Sequence, residues 1–109
     1  QVNQAGEAQK AGVSEVDVST LARNVISLPR LRLRGLMTLP PANTDPKANA
    51  ILFARLRDLK DTLVADSIPL DTLSMGMSAD FEVAVREGST IVRIGTAIFG
   101  KRDSPIKTQ

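Results

Sequence analysis

Two short stretches near the carboxyl end of the sequence combine residue types that suit an anion. Ser78 follows one apolar run, and Gly95 with Thr96 follows the next. A glycine lets an anion approach the backbone closely, and the two hydroxyls donate hydrogen bonds to its oxygens. Residues 97–99 predict a short helix, whose free N–H groups and dipole would favour a negative charge. The alternatives are a plain helix cap at Ser78 and a plain turn at Gly95, but together the two stretches favour a phosphate site.

Arg93 is a charged residue inside the apolar run of residues 91–94. Burying a charge is costly unless it is paired or contacts a ligand. Arg93 precedes Gly95 by two residues, so both belong to one face of a strand. It therefore either contacts the body of a ligand or forms a buried ion pair, with Asp80 or Glu82 as the partner.

The segments that must position these residues alternate between strand and helix patterns. Strands are predicted for residues 1–3, 30–39, 73–77 and 90–94. The helices between them are predicted over residues 14–28, 45–63 and 79–87. Such alternation is typical of βα units and a parallel sheet. The chain is therefore an α/β protein, either a small open sheet or about half of a (β/α)8 TIM-type barrel, which needs about 250 residues.

Several local signals set the ends of these helices. Ser14 with Asp17 resembles a capping box, and Pro29 ends the first helix. Asp45 is the predicted cap of the second helix, with Pro46 at its first position. Ser78 is the predicted cap of the third helix, and a glycine at residue 88 suits its left-handed end.

The composition of the chain excludes several kinds of chemistry. It has no cysteine and no histidine, three aromatic residues, all Phe, and a net charge of +2. Disulfides, thiol catalysis and histidine acid–base catalysis are therefore excluded. The small charge and few aromatics argue against nucleic acid, and the arginines of residues 30–34 are interpreted as a solvated start of a strand. No apolar run reaches the length of a membrane span. A reducing cytoplasm fits best.

Three stretches resemble the pyridoxal-phosphate homeostasis proteins. They read "QVNQAGEAQKAG" from residue 1, "LPRLRLRGLMTLP" from residue 28 and "LSMGMSADFEVAVREGSTIVRIGTAIFGKR" from residue 73. That family is built like the barrel domain of alanine racemase and binds pyridoxal 5'-phosphate (PLP). The resemblance implies that residues 1–102 are the C-terminal half of such a barrel, with strands five to eight, and that residues 103–109 are a flexible tail.

The resemblance also implies the roles of individual residues. Met77 and Ser78 would contact the cofactor, with Ser78 on the phosphate, and Gly95 and Thr96 would be the other phosphate contacts. Arg93 would face the pyridine nitrogen. A guanidinium has no acceptor, so it would keep that nitrogen unprotonated and the ring a poor electron sink.

The same resemblance implies a protein that binds PLP without catalysis and stores, buffers or delivers it. The lysine that links to PLP lies outside this chain, and the chain has no tyrosine, the usual second acid–base group of the racemase. Glu7 and Lys10 are interpreted as loop-structuring residues. The alternatives are a PLP-dependent racemase, another phosphate-binding barrel enzyme, or a purely structural α/β domain.

The chain is also expected to associate with a partner chain. A half-barrel has two open strand edges, and side chains around Leu36, Met75 and Ile91 are predicted to face no opposite wall. The predicted partners are therefore PLP, a phosphate or sulfate ion, and either a second copy or the N-terminal half of the parent barrel. Neither nucleic acid nor a membrane is expected.

Overall fold

The structure, a computed structural model, describes residues 1–42 and 44–101. Its centre is a parallel sheet of three strands, β1 (Gly35–Met37), β2 (Thr72–Met77) and β3 (Ile91–Arg93), which neighbour one another in chain order. The predicted α/β class with a parallel sheet is confirmed. The flexible tail predicted for residues 103–109 lies outside the described residues.

The first predicted strand is reduced to a single bridge. Val2 pairs with Val13 in parallel, and the Val2 N–H donates to the carbonyl of Met37 at 2.8 Å. The segment therefore lies beside β1 without forming a strand, because it makes one isolated bridge and one backbone hydrogen bond to β1. Of the four predicted strands, three form within the described residues.

In the part of the chain that the structure describes, four helices precede, connect and follow these strands. They are α1 (Val18–Ile26), α2 (Pro46–Ala65), α3 (Phe81–Arg86) and α4 (Thr96–Phe99), and a 3₁₀ turn (Glu15–Asp17) precedes α1. The predicted cap of α2 is confirmed, since the Asp45 carboxylate accepts from the N–H of Ala48 at 2.8 Å. The predicted capping box at Ser14 is wrong, because its hydroxyl donates to the Asp17 carboxylate instead of capping the backbone.

The hydrophobic core lies between the sheet and the helices. Phe53, Leu56 and Leu63 of α2 pack there with Leu36 of β1 and Met75 of β2, all of them buried. The expectation that Leu36 and Met75 face an open barrel interior is therefore wrong. Ile91, 49% exposed, does lie on the uncovered side.

An irregularity in β2 sets the direction of its last residues. Ser74 pairs with Ile91, whereas Met77 pairs with Arg93, so three steps along β2 match two steps along β3. Gly76, with a φ of +104°, supplies the backbone conformation that this bulge needs. Met77 and Arg93 are therefore opposite each other at the carboxyl ends of the two strands.

Two further observations concern the described part of the chain. None of its helices is both long enough and apolar enough to cross a membrane. It also holds no group of three or more acidic, histidine or cysteine side chains arranged for a metal ion.

Candidate functional site

A cavity of about 680 Å³ lies at the carboxyl ends of the strands. The loops that follow β1, β2 and β3 all contribute to its walls. Four of the five predicted site residues line it, namely Met77, Ser78, Gly95 and Thr96. This location is where open parallel sheets bind ligands, because three loops meet there.

Ser78 joins the end of β2 to the start of α4. Its Oγ accepts hydrogen bonds from the N–H groups of Gly95, at 3.1 Å, and Ala97, at 3.0 Å. Ser78 was predicted to cap the helix that follows it directly, and this is wrong, because α3 begins only at Phe81. With two N–H groups bound to its oxygen, the hydroxyl still has its own proton to donate to a ligand.

The N–H of Thr96 lies between the two that Ser78 binds. The first N–H groups of a helix have no acceptor within the helix. None of the hydrogen bonds found among the described residues uses this one. Together with the Thr96 side chain and the Ser78 hydroxyl, it gives the cavity wall three donors.

At Gly95, neither a positive φ nor a close contact calls for a glycine. Its φ is −121°, and a Cβ added there would have no atom within 4 Å. Each of the other six glycines either has a positive φ or, at Gly35, would place a Cβ 1.8 Å from a backbone oxygen of Thr72. The missing side chain at Gly95 therefore leaves space on the cavity side rather than relieving strain.

Arg93 lies beside this cavity and does not line it. Its Nη2 donates to the carbonyls of Thr38, at 3.0 Å, and Ser74, at 3.4 Å. Among the described residues, it forms no ion pair with Asp80 or Glu82, and its buried Nε has no partner. The alternative of an ion pair is therefore wrong for the described residues, and Arg93 instead donates to one backbone carbonyl directly after β1 and one within β2.

Asp80, which the sequence suggested only as an ion-pair partner, and Asn49, which it did not single out, hold this region together. The carboxylate of Asp80 accepts from the N–H of Met77 at 2.8 Å and from the side-chain amide of Asn49 at 3.0 Å. Asp80 also occupies the N-cap position of α3, although its side chain makes no capping hydrogen bond there. The signal was ambiguous, because Ser78 and Asp80 are both good caps and lie two residues apart.

Lys10 supports the loop that follows β1. Its Nζ donates to the carbonyls of Leu39, at 3.1 Å, and Pro40, at 2.9 Å, and lies 3.4 Å from the carboxylate of Glu7. These contacts agree with the interpretation of Glu7 and Lys10 as loop-structuring residues. They hold the backbone of residues 39 and 40, beside the two prolines, Pro40 and Pro41, that line the cavity.

The clearest shifts in pKa occur at the opposite ends of the strands. Arg34, just before β1, donates two hydrogen bonds to Asp71, just before β2, at 3.0 and 2.8 Å. These bonds, with a further one from the Thr72 hydroxyl, lower the pKa of Asp71 from 3.8 to about 2, and the same pairing raises the pKa of Arg34. This pair links the residues just before β1 and β2, and neither residue lines the cavity.

Comparison with known proteins identifies relatives across nearly the whole chain. A family model described as "Alanine racemase, N-terminal domain" matches residues 3–103. The pyridoxal phosphate homeostasis proteins of Vibrio alginolyticus and Pseudomonas aeruginosa are 52% and 53% identical over 103 residues. Each match covers 94% of this chain and 44% of the relative, so the chain spans less than half the length of these proteins.

Solved structures resemble the fold as well. PipY of Synechococcus elongatus PCC7942, solved without PLP, has a TM-score of 0.83 at 35% identity, covering 92% of this chain and 47% of PipY. The same protein with PLP bound has a TM-score of 0.78 at 33% identity, covering 91% and 47%.

These matches correct the scope of one expectation. They support a portion of the N-terminal domain of alanine racemase, with a parallel α/β fold similar to that of PipY. Described against alanine racemase, the chain thus belongs to the N-terminal domain and not to the C-terminal part. The narrower identification as strands five to eight goes beyond what these matches support.

Proposed function

Because this chain belongs to the family of the alanine racemase N-terminal domain, we propose that it is a PLP-binding portion of a PLP homeostasis protein. The protein would store, buffer or deliver PLP and would not use it for catalysis. The names of the relatives and the PLP-bound structure of PipY support this proposal. The observation that carries it is the meeting of Ser78 with the backbone of Gly95 and Ala97 at the cavity.

The residues at this point suit a phosphate group. Ser78 and Thr96 bring hydroxyl donors, the Thr96 N–H adds a third donor, and Gly95 leaves the backbone open to approach. A phosphate needs several donors on one side, because its oxygens only accept hydrogen bonds at full charge. We propose that Ser78, Gly95 and Thr96 hold the phosphate and that the neighbouring Met77 contacts the cofactor.

Arg93 is the proposed contact of the pyridine ring. Its guanidinium is at the carboxyl ends of the strands and carries a buried Nε without a partner among the described residues. When bound, PLP supplies an aldehyde and an electron-accepting ring. A donor-only side chain at the ring nitrogen would weaken that electron sink, which suits a cofactor that is held rather than used.

The position of the chain within the barrel is a separate part of the proposal. We propose that it is the later half, strands five to eight, because barrel phosphate sites form in the loops after strands seven and eight. The lysine that links to PLP would then belong to the earlier half. Lys10, which contacts the loop after β1, is already bound to two carbonyls and to Glu7. A cytoplasmic location completes the proposal.

A racemase is the second candidate, because the matching family model bears the name of one. A racemase needs a second acid–base group, usually tyrosine, and this chain has none. Assaying a full-length homologue that contains this sequence for amino-acid racemisation separates the two candidates. Turnover of amino acids would reject the non-catalytic proposal.

The binding proposal is tested by titrating the chain with PLP. The double variant Ser78→Ala and Thr96→Ala removes both hydroxyl donors, and each hydrogen bond to a charged group contributes about 1.5–3 kcal/mol. We expect at least about tenfold weaker PLP binding, since about 1.4 kcal/mol corresponds to a factor of ten. A variant of the exposed Thr20, Thr20→Ala, is the control and should bind as the unmodified chain does. Equal affinity in all three chains would mean that the phosphate lies elsewhere.

A further inference from the structure

Asn49 is a buried polar residue that the proposed binding does not use. It lies near the start of α2, is 6% exposed, and lines the cavity. Its amide nitrogen donates to Asp80, while its buried Oδ1 has no partner among the described residues. A buried amide that satisfies only its nitrogen is costly, so its retention requires a reason.

A continuous series of hydrogen bonds begins at this amide. Asn49 holds one oxygen of the Asp80 carboxylate, and the other oxygen accepts from the Met77 N–H. The Asp80 N–H in turn donates to the Met77 carbonyl at 3.1 Å, which closes a tight turn around Ser78. That turn brings the Ser78 hydroxyl to the N–H groups of Gly95 and Ala97.

The series links three elements that the sheet alone would leave independent. It runs from α2 through the end of β2 to the start of α4. Asp80 holds the turn through the hydrogen bond from the Met77 N–H to its carboxylate. Asn49 fixes the orientation of that carboxylate, because a carboxylate with only one oxygen bound can rotate. Without Asn49, the Ser78 hydroxyl would lose its defined place in the cavity wall.

We infer that Asn49 and Asp80 are positioning residues that fix Ser78 and thereby set the preference of the site for a phosphorylated ligand. This inference rests on the proposed function and deepens it. Neither residue needs to contact the ligand, since both act through the turn at Ser78. Their effect should therefore depend on whether the ligand carries a phosphate.

Exchanging the two side chains gives a sharp test. Asn49→Asp alone places two carboxylates against each other and should open the turn. Asp80→Asn alone should be mild, because Asn49 can turn its amide over and accept from the new amide with its Oδ1. The double variant Asn49→Asp with Asp80→Asn restores an amide–carboxylate pair, keeps an acceptor for the Met77 N–H, and leaves the net charge unchanged.

The first readout is affinity for PLP against affinity for pyridoxal, which lacks the phosphate. We expect Asn49→Asp to weaken PLP binding about tenfold or more, pyridoxal binding by less than about twofold, and the exchanged pair to recover most of the loss. A general loss of folding would weaken both ligands alike and would not be recovered selectively. Asp61→Asn, which removes a 62% exposed carboxylate from the same helix, is the charge control and should leave the ratio unchanged.

The second readout needs no ligand. The amide proton shifts and temperature coefficients of Gly95 and Ala97, measured by NMR, report their bonds to Ser78. We expect both to change in Asn49→Asp and to return in the exchanged pair; unchanged amides would overturn the inference. If the unmodified chain fails to prefer PLP over pyridoxal, the proposed function fails, while the two amides still decide whether Asn49 positions Ser78.

Discussion

At Gly95, the effect of an added side chain on folding can be distinguished from its effect on ligand binding. Its φ is negative and a Cβ there would touch no atom, so an added methyl group meets neither left-handed strain nor a steric clash. The added methyl group would nevertheless stand where the proposed phosphate approaches the backbone. Few positions in the chain allow folding and binding to be tested so independently.

We predict that Gly95→Ala leaves the free energy of unfolding within about 0.5 kcal/mol of the unmodified chain, as for a surface substitution without strain. PLP affinity should fall by about tenfold or more, because the methyl group keeps the phosphate from the N–H groups. Chemical unfolding and PLP titration measure the two effects. Unchanged affinity would exclude a close approach of the phosphate at this backbone.

The pair of Arg34 and Asp71 predicts a specific dependence of stability on pH. Because the pairing lowers the pKa of Asp71 from 3.8 to about 2, its contribution is fully present above pH 3.8. It is lost as the pH falls through about 2, where the carboxyl group becomes protonated in the folded state as well. Both side chains are exposed, so salt should also weaken the contribution.

We therefore predict that Asp71→Asn lowers the urea midpoint at pH 6 and that the difference from the unmodified chain shrinks toward pH 2. Asp61→Asn, which lacks such an arginine partner, should show no comparable trend. Urea unfolding at several pH values gives the result. A difference that stays constant down to pH 2 would contradict the role of this pair.

Several residue roles were accessible from the sequence and others were not. Met77, Ser78, Gly95 and Thr96 were predicted to share a site, and they line one cavity. The prediction that Ser78 caps α3 was wrong. Capping was inferred from neighbouring residues, whereas the N–H groups that the Ser78 hydroxyl binds lie 17 and 19 residues further along the chain. Asn49 was invisible for the same reason, since its partner lies on another element.

Among the elements, β2 has the most exacting backbone. The bulge before Met77 depends on Gly76, whose φ is +104° and where a Cβ would come within 2.7 Å of the Cβ of Ala84. The bulge sets Met77 opposite Arg93 and directs the following turn toward α4. One glycine thus supports both strand pairing and the shape of the cavity wall.

We predict that Gly76→Ala destabilises the chain by about 2–4 kcal/mol, which combines left-handed strain with overpacking against α3. Gly95→Ala is the matched control, because it adds the same methyl group without either cost. Thermal or chemical unfolding of the two variants gives the comparison. Similar stability in both would show that β2 can straighten at no cost.

The elements themselves were predicted according to how local their signals are. Asp45 and Pro46 marked the start of α2 correctly, since cap and helix are adjacent in sequence. The strand predicted at residues 1–3 forms only a bridge, and the strand predicted from residue 30 begins at Gly35. Pairing with a neighbour decides such boundaries, and the pairing partner is not encoded in the alternating pattern.

At the scale of the whole molecule, two large apolar side chains of the described sheet are exposed. They are Ile91 of β3 and Met77 of β2, which are 49% and 46% exposed. In the described part of the chain, β3 pairs with β2 alone. Exposed apolar side chains and an unpaired strand edge both favour association.

We predict that the chain associates, either with a second copy or with the remainder of its parent barrel. Covering a few hundred Å² of apolar surface contributes several kcal/mol at about 25 cal/mol per Å², which is comparable to the whole stability of a small domain. Sedimentation at micromolar concentration, with and without the remainder, measures it. A cooperatively melting monomer that ignores the remainder would contradict the half-barrel proposal.

During synthesis on a ribosome, β2 and β3 would each emerge after the strand with which they pair. The order β1, β2, β3 in space equals the order in the chain, so pairing can proceed from the amino end without waiting for distant segments. The cavity is different. The Ser78 hydroxyl is bound by the N–H groups of Gly95 and Ala97, so this part of the cavity wall forms only after residue 97 has left the ribosome. A nascent chain would thus acquire its scaffold first and its capacity to hold a ligand last.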